Sequence, residues 1–297
     1  MIYIIAGQTA SGKSNLALDF AKKIGGVILN GDAFQVYQRL DIGTAKPSLE
    51  ERQIVPHYLF DIVSIDHGFS IYEYQQLARA KIDECIEKCI PVVIVGGSGL
   101  YIRSVLFDYR FTHNTPVDMA EFESKSNAEL HNYLQQVDKE SASKIHANNR
   151  RRVLRAIEIY RQTGRAKSEL ENSQDKHPHY PYLMVGLSPS KEQLDQQILN
   201  RVKTMFNKGL KEEVMTLLKT YDPTSPGFKA IGYKEIIANP SLMDEALIEL
   251  IAKNTRQYAK RQMTFFKNQF TIQFFPTHDQ ALHFLMEKYK ELNYENN

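Results

Sequence analysis

Gly7-Gln8-Thr9-Ala10-Ser11-Gly12-Lys13-Ser14 satisfies G-x-x-x-x-G-K-[ST] and lies between an apolar run, Ile2–Ala6, and a helical repeat of apolar residues. The glycines let backbone N–H groups converge on phosphate oxygens, Lys13 adds a point charge, and the Ser14 hydroxyl suits a magnesium ion. The expected ligand is a phosphorylated small molecule bound with Mg2+. Asp32 stands two residues past a second apolar run, Val27–Asn30, which puts it at the carboxyl edge of the same sheet, where open α/β folds bind ligands. A carboxylate there can take a proton from an attacking nucleophile; a helix N-cap for Phe34–Gln38 is the other reading. Arg201 shares a helical repeat with Leu194, Ile198, Val202 and Met205, so its guanidinium can reach inward to phosphates.

A third run, Pro91–Val95, leads into Gly96-Gly97-Ser98-Gly99 rather than into the carboxylate that holds magnesium in most phosphate-loop nucleotide hydrolases. That argues against an ATP-driven motor. It leaves a small-molecule kinase or an enzyme with a diphosphate leaving group in the loop; a non-catalytic RNA-binding module gated by nucleotide is the reading from another class. Two helical stripes carry positive charge. Arg151, Arg152 and Arg155 oppose Val153, Leu154, Ile157 and Tyr160; Lys253, Arg256, Lys260 and Lys267 lie beside Ile251, Tyr258, Met263, Phe265 and Phe266. Such stripes suit phosphate-backbone contact.

The elements that must position these residues alternate in the first third of the chain. Strands are expected at Ile2–Ala6, Val27–Asn30, Tyr58–Val63 and Pro91–Val95. A helix carrying Leu16, Ala17, Phe20, Ala21 and Ile24 stops at Gly25-Gly26, and a longer one, Ile71–Cys89, packs through Leu77, Ala78, Ile82 and Ile86. Asp108–Pro116 reads as a linker, and Tyr180–Leu187 and Ile272–Phe275 as later strands. A final amphipathic helix presents Ala281, Leu282, Leu285 and Tyr289. The fold class is therefore α/β: a parallel sheet like that of phosphate-loop NTPases (1–109 and 178–297), a helical insertion at 110–177, and an additional helical layer from 190 to 270.

The 297 residues are 42% hydrophobic and 24% charged, with net charge +2, the composition of a globular protein. Residues 1–108 carry −2 and the remainder +4, placing an acidic partner on the later part. No apolar run reaches the ~18 residues of a membrane span, and no leader precedes the first strand, so a cytoplasmic protein is expected. Cys85 and Cys89 lack the partners zinc or a disulfide framework needs.

Several segments together resemble the bacterial tRNA dimethylallyltransferases: Gly7–Ser14, DAFQVYQRLDIGTAKP (Asp32–Pro47), PHYL (Pro56–Leu59), GGSGLY (Gly96–Tyr101), IHANNRRRVLRAIEIY (Ile145–Tyr160), GFKAIGYK (Gly227–Lys234) and TRQYAKRQMTFFK (Thr255–Lys267). The resemblance runs nearly end to end. It implies a monomer that moves a dimethylallyl group from dimethylallyl diphosphate to the exocyclic amine of the adenine 3′ of the anticodon. It further implies that Gly7, Gln8, Thr9, Ala10, Ser11, Gly12, Lys13 and Ser14 cradle the diphosphate, with Mg2+ on Ser14. Arg201 would neutralise the leaving charge and Asp32 would accept the amine proton. The anticodon stem-loop would meet Asp32, Ala33, Phe34, Gln35, Ser98, Arg151, Arg152, Val153, Leu154, Arg155, Lys229, Gly232, Tyr233, Lys234, Lys260, Arg261, Gln262 and Lys267. In the family, Gln8 is often proline, Ala33 serine and Ser98 threonine. Val117–Ser126 lacks an arginine that relatives carry.

Overall fold

A computed structural model describes residues 1–107, 117–172 and 177–294, the side chains of 293 and 294 excepted. The expected linker at Asp108–Pro116 lies outside them. The described residues divide into two compact units, Met1–Leu106 with Tyr180–Asn297, and Phe107–His179.

The first unit begins with β1 (Ile2–Ala6), α1 (Lys13–Ile24), β2 (Val27–Asn30), α2 (Leu49–Ile54), β3 (His57–Tyr58), α3 (Ile71–Glu87), β4 (Val92–Gly96) and α4 (Gly99–Leu106). The second unit holds α5 (Ala120–Glu123), α6 (Asn127–Val137), α7 (Lys139–Lys144), α8 (Arg150–Thr163) and α9 (Lys167–Asn172). The first then resumes with β5 (Tyr182–Leu187), α10 (Lys191–Asn207), α11 (Leu210–Leu217), a 3₁₀ turn at Pro226–Lys229, α12 (Tyr233–Ala238), α13 (Asp244–Gln269), β6 (Gln273–Phe275) and α14 (His278–Tyr294).

The strands form one parallel sheet in the order β3-β2-β4-β1-β5-β6. β1 is apolar throughout and buried on both faces, as a central parallel strand must be. Tyr3 and Ile5 pack on the α1 face of Leu16, Ala17, Phe20, Ala21 and Ile24, with Ala281 and Leu285 of α14 completing the layer. Gly25 takes the left-handed conformation that ends α1 (φ 63°). Because Ala6 pairs with Gly96 and Asn30 with Val95, the carboxyl ends of β1, β2 and β4 open at one edge of the sheet. A Cβ at Gly96 would lie 2.0 Å from the Gly31 carbonyl oxygen, so glycine is what lets the segment leaving β2 pass this close to β4. A helical layer formed by α10 to α13 joins this unit, as the sequence predicts.

Three expectations are corrected. The strand at Tyr58–Val63 shrinks to His57–Tyr58 because Leu59 (φ 66°) and Asp61 (φ 54°) turn left-handed, the carboxylate of Asp61 being drawn to Lys46 and Arg52. In α3 the buried stripe is Tyr74, Gln75, Ala78, Ile82 and Cys85, whereas Leu77 and Ile86 are exposed. Tyr74 sets that rotation by stacking on Tyr101 at 4.2 Å and donating its hydroxyl to the Asn30 carbonyl at 2.8 Å. Phe34–Gln38 forms no helix, so Asp32 caps none; Tyr37 bridges to Val63 instead.

The second unit has its own core of Phe122, Leu130, Leu134, Ala142, Val153, Ala156 and Ile157. Arg150 closes it by donating to the carbonyls of Phe122, Glu123 and Lys125 at the end of α5. Burial would raise the Asp138 carboxyl, but hydrogen bonds from Ser141 and Ser168 outweigh it and hold the group below its ordinary value.

Gly96→Ala should destabilise the protein by about 1–3 kcal/mol through overpacking against Gly31, read as a lower urea midpoint. A midpoint equal to that of the wild type would show that β2 and β4 part freely.

Candidate active site

The loop after β1 is wound by three residues with positive φ, Gly7 (143°), Ala10 (63°) and Gly12 (91°). Its lysine folds back on it, Lys13 Nζ donating to the Gln8 carbonyl at 3.2 Å. Two bonds tie the loop to α13: the Thr9 N–H to Gln262 Oε1 at 2.8 Å and Gln8 Nε2 to the Ala259 carbonyl at 3.2 Å. The N–H groups of Gly12, Lys13 and Ser14 have no acceptor among the described residues, and they sit where the α1 dipole favours an anion. The Ser11 hydroxyl is buried and has no hydrogen-bond partner among the described residues. Ser14 is exposed at the start of α1.

Facing the loop, the chain leaving β2 is pinned at successive peptide groups. The Asn30 side chain, fully buried, accepts from the Asp32 N–H at 2.8 Å and donates to the Asp32 and Leu59 carbonyls, each at 3.0 Å. Gly31 donates to the Val95 carbonyl at 2.7 Å and accepts from the Ser98 N–H at 3.1 Å. The Ala33 N–H donates to Ser98 Oγ at 2.9 Å. Asp32 Oδ1 accepts from the Phe34 N–H at 3.0 Å, an Asx turn that leaves Oδ2 without a hydrogen bond among the described residues.

Lys13, Asp32 and Arg201 converge on one opening. A polar cavity of about 220 Å³ is lined by Lys13, Ser14, Gln35, Lys46 and His57, and a more apolar one of about 260 Å³ by Phe34, Val202, Met205, Ile251 and Tyr258; Thr9, Asp32 and Arg201 line both. Arg201, from α10, has no hydrogen bond or ion pair among the described residues. Burial lowers its pKa, the Asp32 charge partly opposing. Burial and then the charge of Arg201 push Lys13 down to about 8, again against Asp32. Two desolvated cations thus share the charge of Asp32, an arrangement that suits a further anion. Tyr258, half-buried beside them, is pushed up to about 12 by burial and by the Asp32 charge, with Ser98 and Gln262 opposing.

The DIGTAKP segment proves to be a brace. Glu213 accepts from the Asp41 and Ile42 N–H groups and from the Tyr233 hydroxyl, which itself accepts from the Gly43 N–H at 3.1 Å. Burial raises the Glu213 carboxyl. Lys46 donates to the Tyr37 carbonyl at 2.6 Å and to Asp41 at 2.8 Å, and also pairs with Asp61.

Among the residues that the resemblance assigns to tRNA, Phe34, Lys229, Lys234 and Arg261 line the apolar cavity with Asp32. Lys260, Arg261 and Lys267 are exposed on α13. In the second unit Arg151, Arg152 and Arg155 are exposed on α8, Arg155 pairing with Glu158 at 2.7 Å. Other assigned side chains point into the protein. Val153 lies in the core of the second unit with Leu154 packed against that core, and Tyr233 braces the loop after Leu40. Gln262 is spent on Thr9 and on the Gly97 carbonyl, Gln35 on the Thr44 and Ala45 carbonyls, and Ser98 on Ala33. Gly232 donates its N–H to Glu235 at 2.7 Å. Arg256, expected in the basic stripe, pairs with Asp195 of α10 at 3.6 Å. The glycines after β4 make room for Gln262 and Phe265, which a Cβ at Gly97 or Gly99 would strike.

Asn30 and Glu213 are absent from the site residues singled out by sequence, and Tyr258 was read only as part of an apolar face. Asn30 had a local signal, a polar residue closing an apolar strand. Glu213 has its partners far along the chain.

The fold and site define an α/β phosphate-loop protein with a carboxylate aimed across the loop. The family model described as IPP transferase matches residues 35–269. The chain is 38% identical over 298 residues to the tRNA dimethylallyltransferase of Staphylococcus haemolyticus, covering 97% of this chain and 90% of that one. It resembles the crystal structure of tRNA isopentenylpyrophosphate transferase from Staphylococcus epidermidis, with TM-score 0.70, 38% identity, and coverage of 99% and 100%. A eukaryotic dimethylallyltransferase captured acting on tRNA gives TM-score 0.81 at 28% identity, covering 92% of this chain and 73% of that one. The chain belongs to the IPP transferase family.

An anion in the loop should raise the Lys13 pKa from about 8 towards its ordinary value. Binding of inorganic diphosphate near pH 8 is therefore expected to take up roughly half a proton, and its affinity to fall as the pH rises further. Calorimetry in buffers of different ionisation enthalpy reads this uptake. Lys13→Met should abolish it, and uptake unchanged in that variant would refute the assignment.

Proposed function

We propose that this enzyme transfers the dimethylallyl group of dimethylallyl diphosphate to the exocyclic N6 amine of the tRNA adenine 3′-adjacent to the anticodon, releasing diphosphate. The observation that carries the reading is the Asp32 carboxylate, which lines both cavities, opposite two desolvated cations, Lys13 and Arg201. Membership of the IPP transferase family supports the substrate pair.

The diphosphate occupies the polar cavity, held by the free N–H groups at the head of α1, by Lys13 and by Arg201. The flanking prenyl carbon then lies towards the apolar cavity, which also receives the adenine. An aniline-like purine amine is a weak nucleophile, so charge stabilisation and proton removal both matter. As the N6–C1 bond forms, the C1–O bond breaks and its electron pair passes to the diphosphate, where Arg201 and Lys13 stabilise it. The N6 proton goes to Asp32 Oδ2. Apolar walls from Phe34, Val202, Met205 and Tyr258 keep water from the allylic carbon.

Mg2+ fits the polar cavity. No group of three His, Cys, Asp or Glu side chains gathers there among the described residues, and magnesium commonly takes one or two protein oxygens and completes its shell with phosphate and water. Ser14 would be the protein ligand, and the ion would neutralise diphosphate charge.

Exposed cations on α13 (Lys260, Arg261, Lys267) and on α8 (Arg151, Arg152, Arg155) support phosphate contacts to the anticodon stem-loop. The target base must leave its stack to reach the cavity. No helix among the described residues is long and apolar enough to cross a membrane; we read the enzyme as a cytoplasmic monomer.

Incubation with labelled dimethylallyl diphosphate and tRNA should move label to RNA with no loss of the γ-phosphate from ATP. Absence of transfer to any tRNA with adenine beside the anticodon would overturn the reading, and ATP turnover would favour a kinase. Asp32→Asn should lower kcat by about 10²–10⁴-fold while tRNA affinity stays within about twofold. Lys260→Ala should weaken tRNA binding and make its dependence on log salt shallower by about one; an unchanged slope would remove that residue from the RNA contact.

A further inference from the structure

Asn30 ends β2 and none of its surface is exposed, yet its carboxamide uses both of its ends. Oδ1 takes the Asp32 N–H, Nδ2 gives one hydrogen to the Asp32 carbonyl, and its second hydrogen goes to the Leu59 carbonyl. Its own carbonyl is held by the Tyr74 hydroxyl at 2.8 Å. On the β3 side the sheet can no longer fix the chain, although β4 still pairs Asn30 with Val95. β3 ends at Tyr58, and Leu59 turns left-handed, so the last rung between β2 and β3 pairs Leu29 with Tyr58. One side-chain amide replaces the missing rung and brackets both peptide groups of the residue two positions on.

That residue is Asp32. Its carboxylate is oriented at one oxygen by the Phe34 N–H, so the direction of the other oxygen follows from the backbone of Asp32 and from χ1. Asn30 holds the N–H and the carbonyl of Asp32 itself, while Val95 and Ser98 hold Gly31 and Ala33 on either side. Only a short side chain with an acceptor and two donors can make these three contacts. Aspartate would set two carboxylate lone pairs against carbonyl oxygens and add a like charge beside the base. Serine would keep one contact at most.

We propose that Asn30 is a positioning residue for the transfer: its buried carboxamide closes on both peptide groups of Asp32 and so aims Oδ2 at the incoming nitrogen. The proposal rests on the role of Asp32 as proton acceptor. It assigns Asn30 an effect on the chemical step and not on substrate affinity, because the amide is buried and lines neither cavity.

A double-mutant cycle tests it. Asn30→Ser should lower kcat by roughly 10- to 100-fold while the KM for dimethylallyl diphosphate and the Kd for tRNA stay within about threefold. In the Asp32→Asn background the same substitution should lower the residual kcat by less than about threefold, since residues acting as a unit are non-additive. Equal fold-losses in the two backgrounds, or a loss expressed in KM, would assign Asn30 a general structural role and overturn the proposal. Asn30→Asp supplies a second readout: a like charge next to the base should move the acidic limb of the kcat/KM profile up by about one pH unit, and an unmoved limb counts against positioning. If Asn30→Ser does not fold, Asn30→Thr is read in the same way. Loss of fold in both would place the amide's role in the strand end alone and overturn the proposal. A wild-type rate in Asp32→Asn itself would instead overturn the catalytic reading of Asp32, so the two failures are told apart.

Discussion

Two cations stripped of much of their water, Lys13 and Arg201, line one cavity and share the opposing charge of Asp32, and the rest of the structure serves that imbalance. Like charges at close quarters are costly when desolvated. The fold tolerates them because α1 and α10 are anchored elsewhere, α1 by its apolar face on the sheet and α10 by packing on α13. In the proposed function, a bound diphosphate would convert the repulsion into binding. Because the field is already in place, little reorganisation would be needed as charge develops on the leaving oxygen of the proposed transfer.

α13 is the beam against which the site is trued. Gln262 joins the phosphate loop to the strand-end turn at Gly97, and Gln8 reaches the Ala259 carbonyl. Phe265 fills the space left by Gly99, and Arg256 ties the helix to Asp195 on α10. The inner face of the helix therefore spans the loop, the turn after β4 and the helix that carries Arg201. Its outer face carries Lys260, Arg261 and Lys267. A motif that resembles an RNA-contacting segment thus turns one face to solvent, where the proposed RNA contact falls, and spends the other on the protein interior.

The segment from Asp41 to Pro47 shows the same division. Its charged and polar residues are consumed internally: Lys46 by Tyr37, Asp41 and Asp61, and the backbone of 41–43 by Glu213 and Tyr233. Gly43 is required because a Cβ would run into the Tyr233 ring at 2.4 Å. These contacts close one wall of the polar cavity, where Thr44, Ala45 and Lys46 are lining residues.

The phosphate loop, its flanking strand and helix, the parallel sheet and the helical insertion were legible in the sequence because each is written in short-range spacing: a glycine-lysine pattern, continuous apolar runs, and 3.6-residue periodicity. Asp32 and Arg201 could be nominated by position and by resemblance. The register of α3, the short β3 and the turn at Phe34–Gln38 were not legible, since they were decided by Tyr74 reaching Asn30 and by the pairing of Asp61 with Lys46 and Arg52. The same holds for the inward side chains of Val153, Tyr233 and Gln262. Thr9 and Gln262 lie 253 positions apart, and no local pattern can report that they share a hydrogen bond. Tertiary structure alone could decide which polar residues of a motif face a ligand and which hold the backbone, because that depends on what is packed against each one.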